Sequence, residues 1–142
     1  IIDQAFAVSV KAPFLLTAAL VPAMVARGQG VIVNIGSING LVGMTGAALY
    51  GSTKAAIHSL TKSWAAEFGP SGIRVNTVAP GPTLTDMIAS LPTIRERFIP
   101  VTPSRKLSTP AEVAAAVVFL ATDEAANIHG ATLSVDGGFT TI

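Results

Sequence analysis

The sequence of 142 residues contains no cysteine. That single absence removes a disulfide framework, a thiol nucleophile and any cysteine-based metal site. Histidine is nearly as scarce. His58 and His129 lie far apart with no second pair, so no metal site is expected, and both read as surface or packing residues. Charge is thin: 12% of residues are charged and the formal net charge is +1. A nucleic-acid binder would carry a basic excess as its electrostatic footprint, so none is expected. Long apolar runs are missing too. The uncharged, mostly apolar run Ala12 to Ala26 falls short of the ~20 apolar residues a spanning helix needs. It also contains Pro13 and Pro22, and the expectation is no membrane span. No secretory pattern is visible, because Asp3 comes early and no small-residue cleavage site follows an apolar core. The opening "IIDQAF" has no initiator methionine, so further residues are expected before it.

What the chain has instead is apolar bulk. Hydrophobic residues make up 50% of it, enough for one domain with a real core. Residues 2–27 read as a helix that is apolar nearly all round, interrupted near Pro13 and closed by Gly28 and Gly30. "GVIVNIGS" (30–37) is a short β-branched run, the pattern of a parallel strand buried on both faces. Residues 47–69 read as a long helix ending at Gly69-Pro70. "GIRVNTVAPG" (72–81) is a second buried strand, stopped by Pro80-Gly81. Residues 82–108 are broken by prolines and predict an irregular segment with one short helix near 93–98. Segments of that length often serve as lids. Pro110 opens a further helix behind the cap candidate Thr109, running to about Ala121. "ATLSVDGG" (131–138) reads as a third strand. Helix alternating with buried strand predicts an α/β layer fold on a parallel sheet.

The chain has one tyrosine, Tyr50, in "LYGSTK" (49–54), with Lys54 one helical turn later. Such pairs are helix neighbours in many proteins with no function. Their company changes the reading. Ser37 lies at the carboxyl end of the first strand, and ligands of parallel sheets bind outside those ends. Pro80-Gly81 ends the neighbouring strand on the same edge, so three polar features converge on one rim.

Ser37, "YGSTK" (50–54), "NTVAPGPTLT" (76–85) and "VDGG" (135–138) together closely resemble the short-chain dehydrogenase/reductase family. The resemblance covers essentially all of residues 1–142, but only the C-terminal half or so of a usual member. It implies the C-terminal part of a Rossmann-like doubly wound parallel sheet, its last strands with flanking helices. It also implies hydride transfer between NAD or NADP and a secondary alcohol or ketone. That chemistry needs a proton donor or acceptor at the substrate oxygen. A free phenol, pKa ~10, is a poor base near neutrality, and a nearby ammonium favours the phenolate. By resemblance, Tyr50 is the general acid/base. Lys54 assists its ionisation and hydrogen-bonds the nicotinamide ribose. Ser37 orients and polarises the substrate oxygen. The segment after Pro80-Gly81 meets the nicotinamide, with the backbone near Thr83 and the Thr85 hydroxyl on its carboxamide. Asp136-Gly137-Gly138 forms a turn and a subunit contact. A cytoplasmic homo-oligomer, dimer or tetramer, is the implied state.

Two departures stand out. The family usually has an asparagine where "VSVKA" places Ser9. In the family that residue presents its backbone carbonyl to a proton-relay water. A proline in a helix frees the carbonyl four residues earlier, so Pro13 would free that of Ser9. The expectation is that the relay survives with a serine side chain. The second departure is the absence of the Gly-rich phosphate-binding turn and of the charged residue that selects NAD or NADP. Gly40, Gly43 and Gly46 are no substitute, because no strand–turn–helix unit accompanies them. A different class therefore stays open. The helices at 2–27 and 47–69 match those of a four-helix subunit contact in the family. A degenerate relative could keep that contact, as an assembly module, and lose the chemistry.

Overall fold

The computed structural model describes residues 1–141. Strands β1 (Gly30–Ile35), β2 (Ile73–Pro80) and β3 (Thr132–Val135) form one parallel sheet in the order β1-β2-β3. Ile35 pairs with Val78, and Pro80 pairs with Val135. These registers bring the carboxyl ends of all three strands to a single edge.

The strands form where β-branched residues cluster, and their alternation sorts side chains between two layers. On one face, helices α2 (Ala12–Arg27) and α3 (Ala48–Phe68) pack Val21, Trp64 and Ala65 against Ile73 and Val75. On the other, helix α6 (Pro110–Ala121) packs Leu120, Val113 and Val117 against Val78, Val33 and Val135. The polar residues within β2 are all engaged. Asn76 Nδ2 donates to Ile128 O and its Oδ1 accepts from Ala131 N–H, fixing the entry to β3. The Arg74 guanidinium donates to Leu120 O and Thr122 O and so satisfies the C-terminus of α6. Thr61 of α3 shares a 2.6 Å hydrogen bond with Thr77 and accepts from Asn34 of β1.

The expected break at Pro13 does not occur. Helix α1 (Ile2–Phe6) runs through a π-turn (Ala7–Lys11) directly into α2. Pro13 falls in the first turn of α2, where a missing N–H is tolerated. Gly28, at φ 70°, terminates the run in the left-handed conformation. Continuous over Ile2–Arg27, this helix is long and apolar enough to cross a membrane by length and composition, contrary to the reading of a run broken by prolines. Here its buried Val21 packs with Trp64, Ile73 and Val75.

β1 also differs from expectation. It is half-buried rather than enclosed, and Ile35 is 48% exposed. β1 is the sheet edge, and among the described residues no strand pairs with its outer side. β2, in the centre, has the continuous burial expected of it. The segment 82–108 carries two short helices instead of one, α4 (Asp86–Ala89) and α5 (Pro92–Phe98). α6 begins as the sequence predicts. Thr109 and Glu112 form a reciprocal capping box.

Candidate active site

The first strand stops at Ile35, short of the expected 37. Gly36 N–H still bonds Val78 O at 2.8 Å, so the chain leaves the sheet at Ser37. Ser37 caps a 3-10 turn (Ile38–Gly40), its Oγ accepting from Asn39 N–H at 3.2 Å. Occupied as an acceptor there, the hydroxyl keeps its proton free to donate.

This turn is pressed onto the start of α3. A Cβ at Gly51 would lie 2.7 Å from Asn39 O, and one at Gly40 would lie 2.8 Å from the Ala55 nitrogen. Side chains there are excluded by close backbone approach. Lys54 reaches back across the contact, its Nζ donating to Ile35 O at 2.9 Å. The same Nζ sits 5.7 Å from the centroid of the Tyr50 ring. Partial burial lowers the pKa of Lys54 from the ordinary lysine value, because desolvation disfavours the ammonium. Tyr50 itself is exposed at the rim, one turn into the helix. Ser37, Tyr50 and Lys54 are therefore united by the turn 37–40 and the first two turns of α3.

Pro80 and Gly81 leave the adjacent strand at the same edge, where Gly81 N–H bonds Val135 O at 3.0 Å. A Cβ on Gly81 would stand 2.9 Å from the Asp136 Cα, so two backbones cross there. Thr83 turns its hydroxyl to Gly81 O and bridges to Ser108. Thr85 caps α4, its Oγ1 accepting from Ile88 N–H, which again leaves a hydroxyl proton unused. Asp136 is buried and structural. Its carboxylate accepts from Gly138 N–H, Thr140 N–H and Thr140 Oγ1, closing a turn through Gly137 and Gly138 at positive φ.

Ser9 is less directly placed. It lies half-buried in the π-turn that packs beside α3. There Ala12 N–H bonds the Ala7 carbonyl, so Pro13 withholds a donor from Val8 in that register and from Ser9 in the α register. The site also includes a residue that reads from the sequence only as a surface or packing residue. His58 is buried under the turn, and its Nε2 accepts from Ser37 N–H at 3.3 Å. Burial, then the positive charges of Lys54 and Lys62, lower its pKa below that of a free histidine. Its sequence signal was the pair Gly36 and Gly40, each kept small against the ring. His129 is exposed, as expected.

A serine, a tyrosine and a lysine stand at the carboxyl edge of a parallel α/β sheet, the edge where ligands of such sheets bind. Comparison with known proteins narrows this. A family model described as enoyl-(acyl carrier protein) reductase matches residues 1–140. The chain is 41% identical over 143 residues to 2-(R)-hydroxypropyl-CoM dehydrogenase of Xanthobacter autotrophicus, covering 99% of this chain and 57% of that protein. It is 42% identical over 142 residues to galactitol 2-dehydrogenase (L-tagatose-forming) of Cereibacter sphaeroides, covering 96% and 56%. Among solved structures, a gluconate 5-dehydrogenase from Burkholderia cenocepacia in complex with NADP and tartrate superposes with a TM-score of 0.91. Its identity is 32%, over 99% of this chain and 57% of that one. The chain belongs to the short-chain dehydrogenase/reductase family. It spans a little over half the length of the relatives it matches.

Proposed function

We propose that this chain carries the catalytic half of an NAD(P)-dependent oxidoreductase acting on a secondary alcohol or ketone. The observation that carries the reading is the joint placement of Ser37, Tyr50 and Lys54 by one strand end and one helix, with Lys54 Nζ held between Ile35 O and the Tyr50 ring. When bound, a nicotinamide accepts or donates the hydride. The chain's own residues manage the proton and the positions. Tyr50 takes the hydroxyl proton of an alcohol, or returns one to a ketone oxygen. The Lys54 ammonium favours the phenolate form by opposite charge. Ser37 donates its free proton to the same substrate oxygen.

The residues present fit the nicotinamide end of such a cofactor. An ammonium has three donors, and Ile35 O occupies one, so Lys54 retains donors for ribose hydroxyls. The backbone at Pro80, Gly81 and Thr83 and the hydroxyl of Thr85 lie on the same rim, where a carboxamide would meet them. No Gly-rich phosphate turn occurs among the described residues, so the choice between NAD and NADP rests outside them. The Ser9 carbonyl is the proposed relay point.

Relatives named as dehydrogenases of small alcohols support a small-molecule substrate. The exposed groove between the N-terminal helix and α3, lined by Phe6, Val10, Phe14, Leu15, Ala56 and Leu60, supports a homo-oligomer, dimer or tetramer. The cytoplasm, where nicotinamide cofactors are plentiful, is the proposed compartment. An assembly module without turnover would use the same groove, but it would not require the ordered Ser37, Tyr50 and Lys54. The deciding experiment offers the full-length protein NAD and NADP with a panel of secondary and primary alcohols. The proposal expects cofactor reduction with secondary alcohols. No turnover in either direction on any alcohol or ketone, from a folded protein that binds cofactor, would leave the assembly reading.

A further inference from the structure

His58 is a buried titratable group that the proton chemistry above does not use. An imidazole nitrogen that accepts a hydrogen bond is unprotonated, so the bond from Ser37 N–H to Nε2 puts the proton on Nδ1. Nδ1 is buried with no partner among the described residues. A ring present only to fill space would be better replaced by an aliphatic side chain, which orphans no polar atom. The surroundings are shaped to the ring instead. A Cβ at Gly36 would collide with its Nε2, and one at Gly40 would come within 2.9 Å of its Cε1. Lys54 and His58 occupy successive turns of α3. The first holds Ile35 O and the second holds Ser37 N–H.

We propose that His58 is a positioning residue. With Lys54 it forms a two-point clamp that fixes the backbone of Ser37 against the helix bearing Tyr50, and the clamp requires the neutral Nδ1–H tautomer. This rests on the oxidoreductase reading, since its purpose is to set the serine hydroxyl relative to the phenol. Protonation would set N–H against N–H and open the clamp. The charged groups facing the ring, Lys54 and Lys62, both lie on its own helix and oppose that protonation. β1 and the turn 36–40 bring no titratable side chain, and Arg74, the sole one on β2, is engaged by α6 carbonyls.

The test uses the full-length protein. Nitrogen-15 spectra of the histidine side chains should show His58 neutral, with Nδ1 protonated and Nε2 of the acceptor type. An Nε2–H tautomer would overturn the proposal, and this readout needs no turnover. In kinetics, His58→Leu should lower kcat by about 10- to 100-fold through misplacement, with the cofactor KM little changed. His58→Gln, whose amide oxygen can accept from Ser37, should restore kcat to within about threefold of wild type. Equal losses in the Gln and Leu variants, or a folded Leu variant with wild-type kcat, would contradict the clamp. If the Leu variant fails to fold, the Gln variant and the tautomer decide. A wild-type protein that turns over no alcohol would defeat the oxidoreductase reading while leaving the tautomer to be read.

Discussion

The two sides of the carboxyl edge are built in opposite ways. On the side of α3, three polar side chains of the helix are each tied to another element. Lys54 bonds β1, His58 bonds the turn after it, and Thr61 bonds both β1 and β2. On the other side, the segment 82–108 is tied down at its base and over its last residues, and is loose between them. Ser108 N–H bonds Pro82 O and Leu84 N–H bonds Ser108 O. Ser104 N–H also bonds Gly137 O and Ser108 Oγ bonds Val135 O, but over 85–91 the bonds are local caps and turns, and Leu84, Met87 and Leu91 face solvent. Proton transfer needs groups held to within a fraction of an ångström, whereas substrate choice tolerates, and lids require, a looser surface.

Variants on the two sides should therefore fail differently. The largest effect is expected from Lys54→Met, which should lower kcat by about 10²- to 10³-fold. Gly36→Ala comes next. Its Cβ would drive into His58 and within 2.7 Å of Thr77 Cγ2, and overpacking of this kind costs about 1–3 kcal/mol in denaturant unfolding. Met87→Ser, on the loose side, should change KM for substrate several-fold at most and leave unfolding midpoints unmoved, because Met87 is 69% exposed. A Met87→Ser protein that lost kcat as severely as Lys54→Met would erase the contrast.

The smallest effect concerns pH. The folded pKa of His58 lies below the unfolded value of about 6.5, so the unfolded chain takes up its proton first as pH falls. Its contribution is thus fully present above about pH 6.5 and is lost as pH falls from there through the folded pKa. Urea midpoints of wild type should drop across that window, and those of His58→Gln should drop less.

Much of this was legible in the sequence because the signals were local. β-branched runs marked β1 and β2, and Thr109-Pro110 with Glu112 marked a helix start whose two capping bonds both form. Tyr50 and Lys54 were legible because, together with Ser37 and Pro80-Gly81, they resemble a known family's pattern, although their spacing alone is common. The π-turn before Pro13 depends on how the helix meets α3, which no composition records. α4 was missed although Thr85-Asp86 is a fair capping signal, because four residues carry no periodicity. His58 read only as a surface or packing residue because its contacts lie at two glycines elsewhere. Gly36 and Gly40 read as turn residues until the ring is seen beside them.

The central claim is that the rim at Ser37 and α3 is a proton-transfer site with Tyr50 as its acid/base. The most direct test is the rate of nicotinamide reduction by the full-length protein on its best secondary alcohol, wild type against Tyr50→Phe, with cofactor affinity measured alongside. The account predicts a fall in kcat of about 10²- to 10⁴-fold with cofactor affinity nearly unchanged. A Tyr50→Phe protein that oxidises the alcohol at the wild-type rate would contradict it.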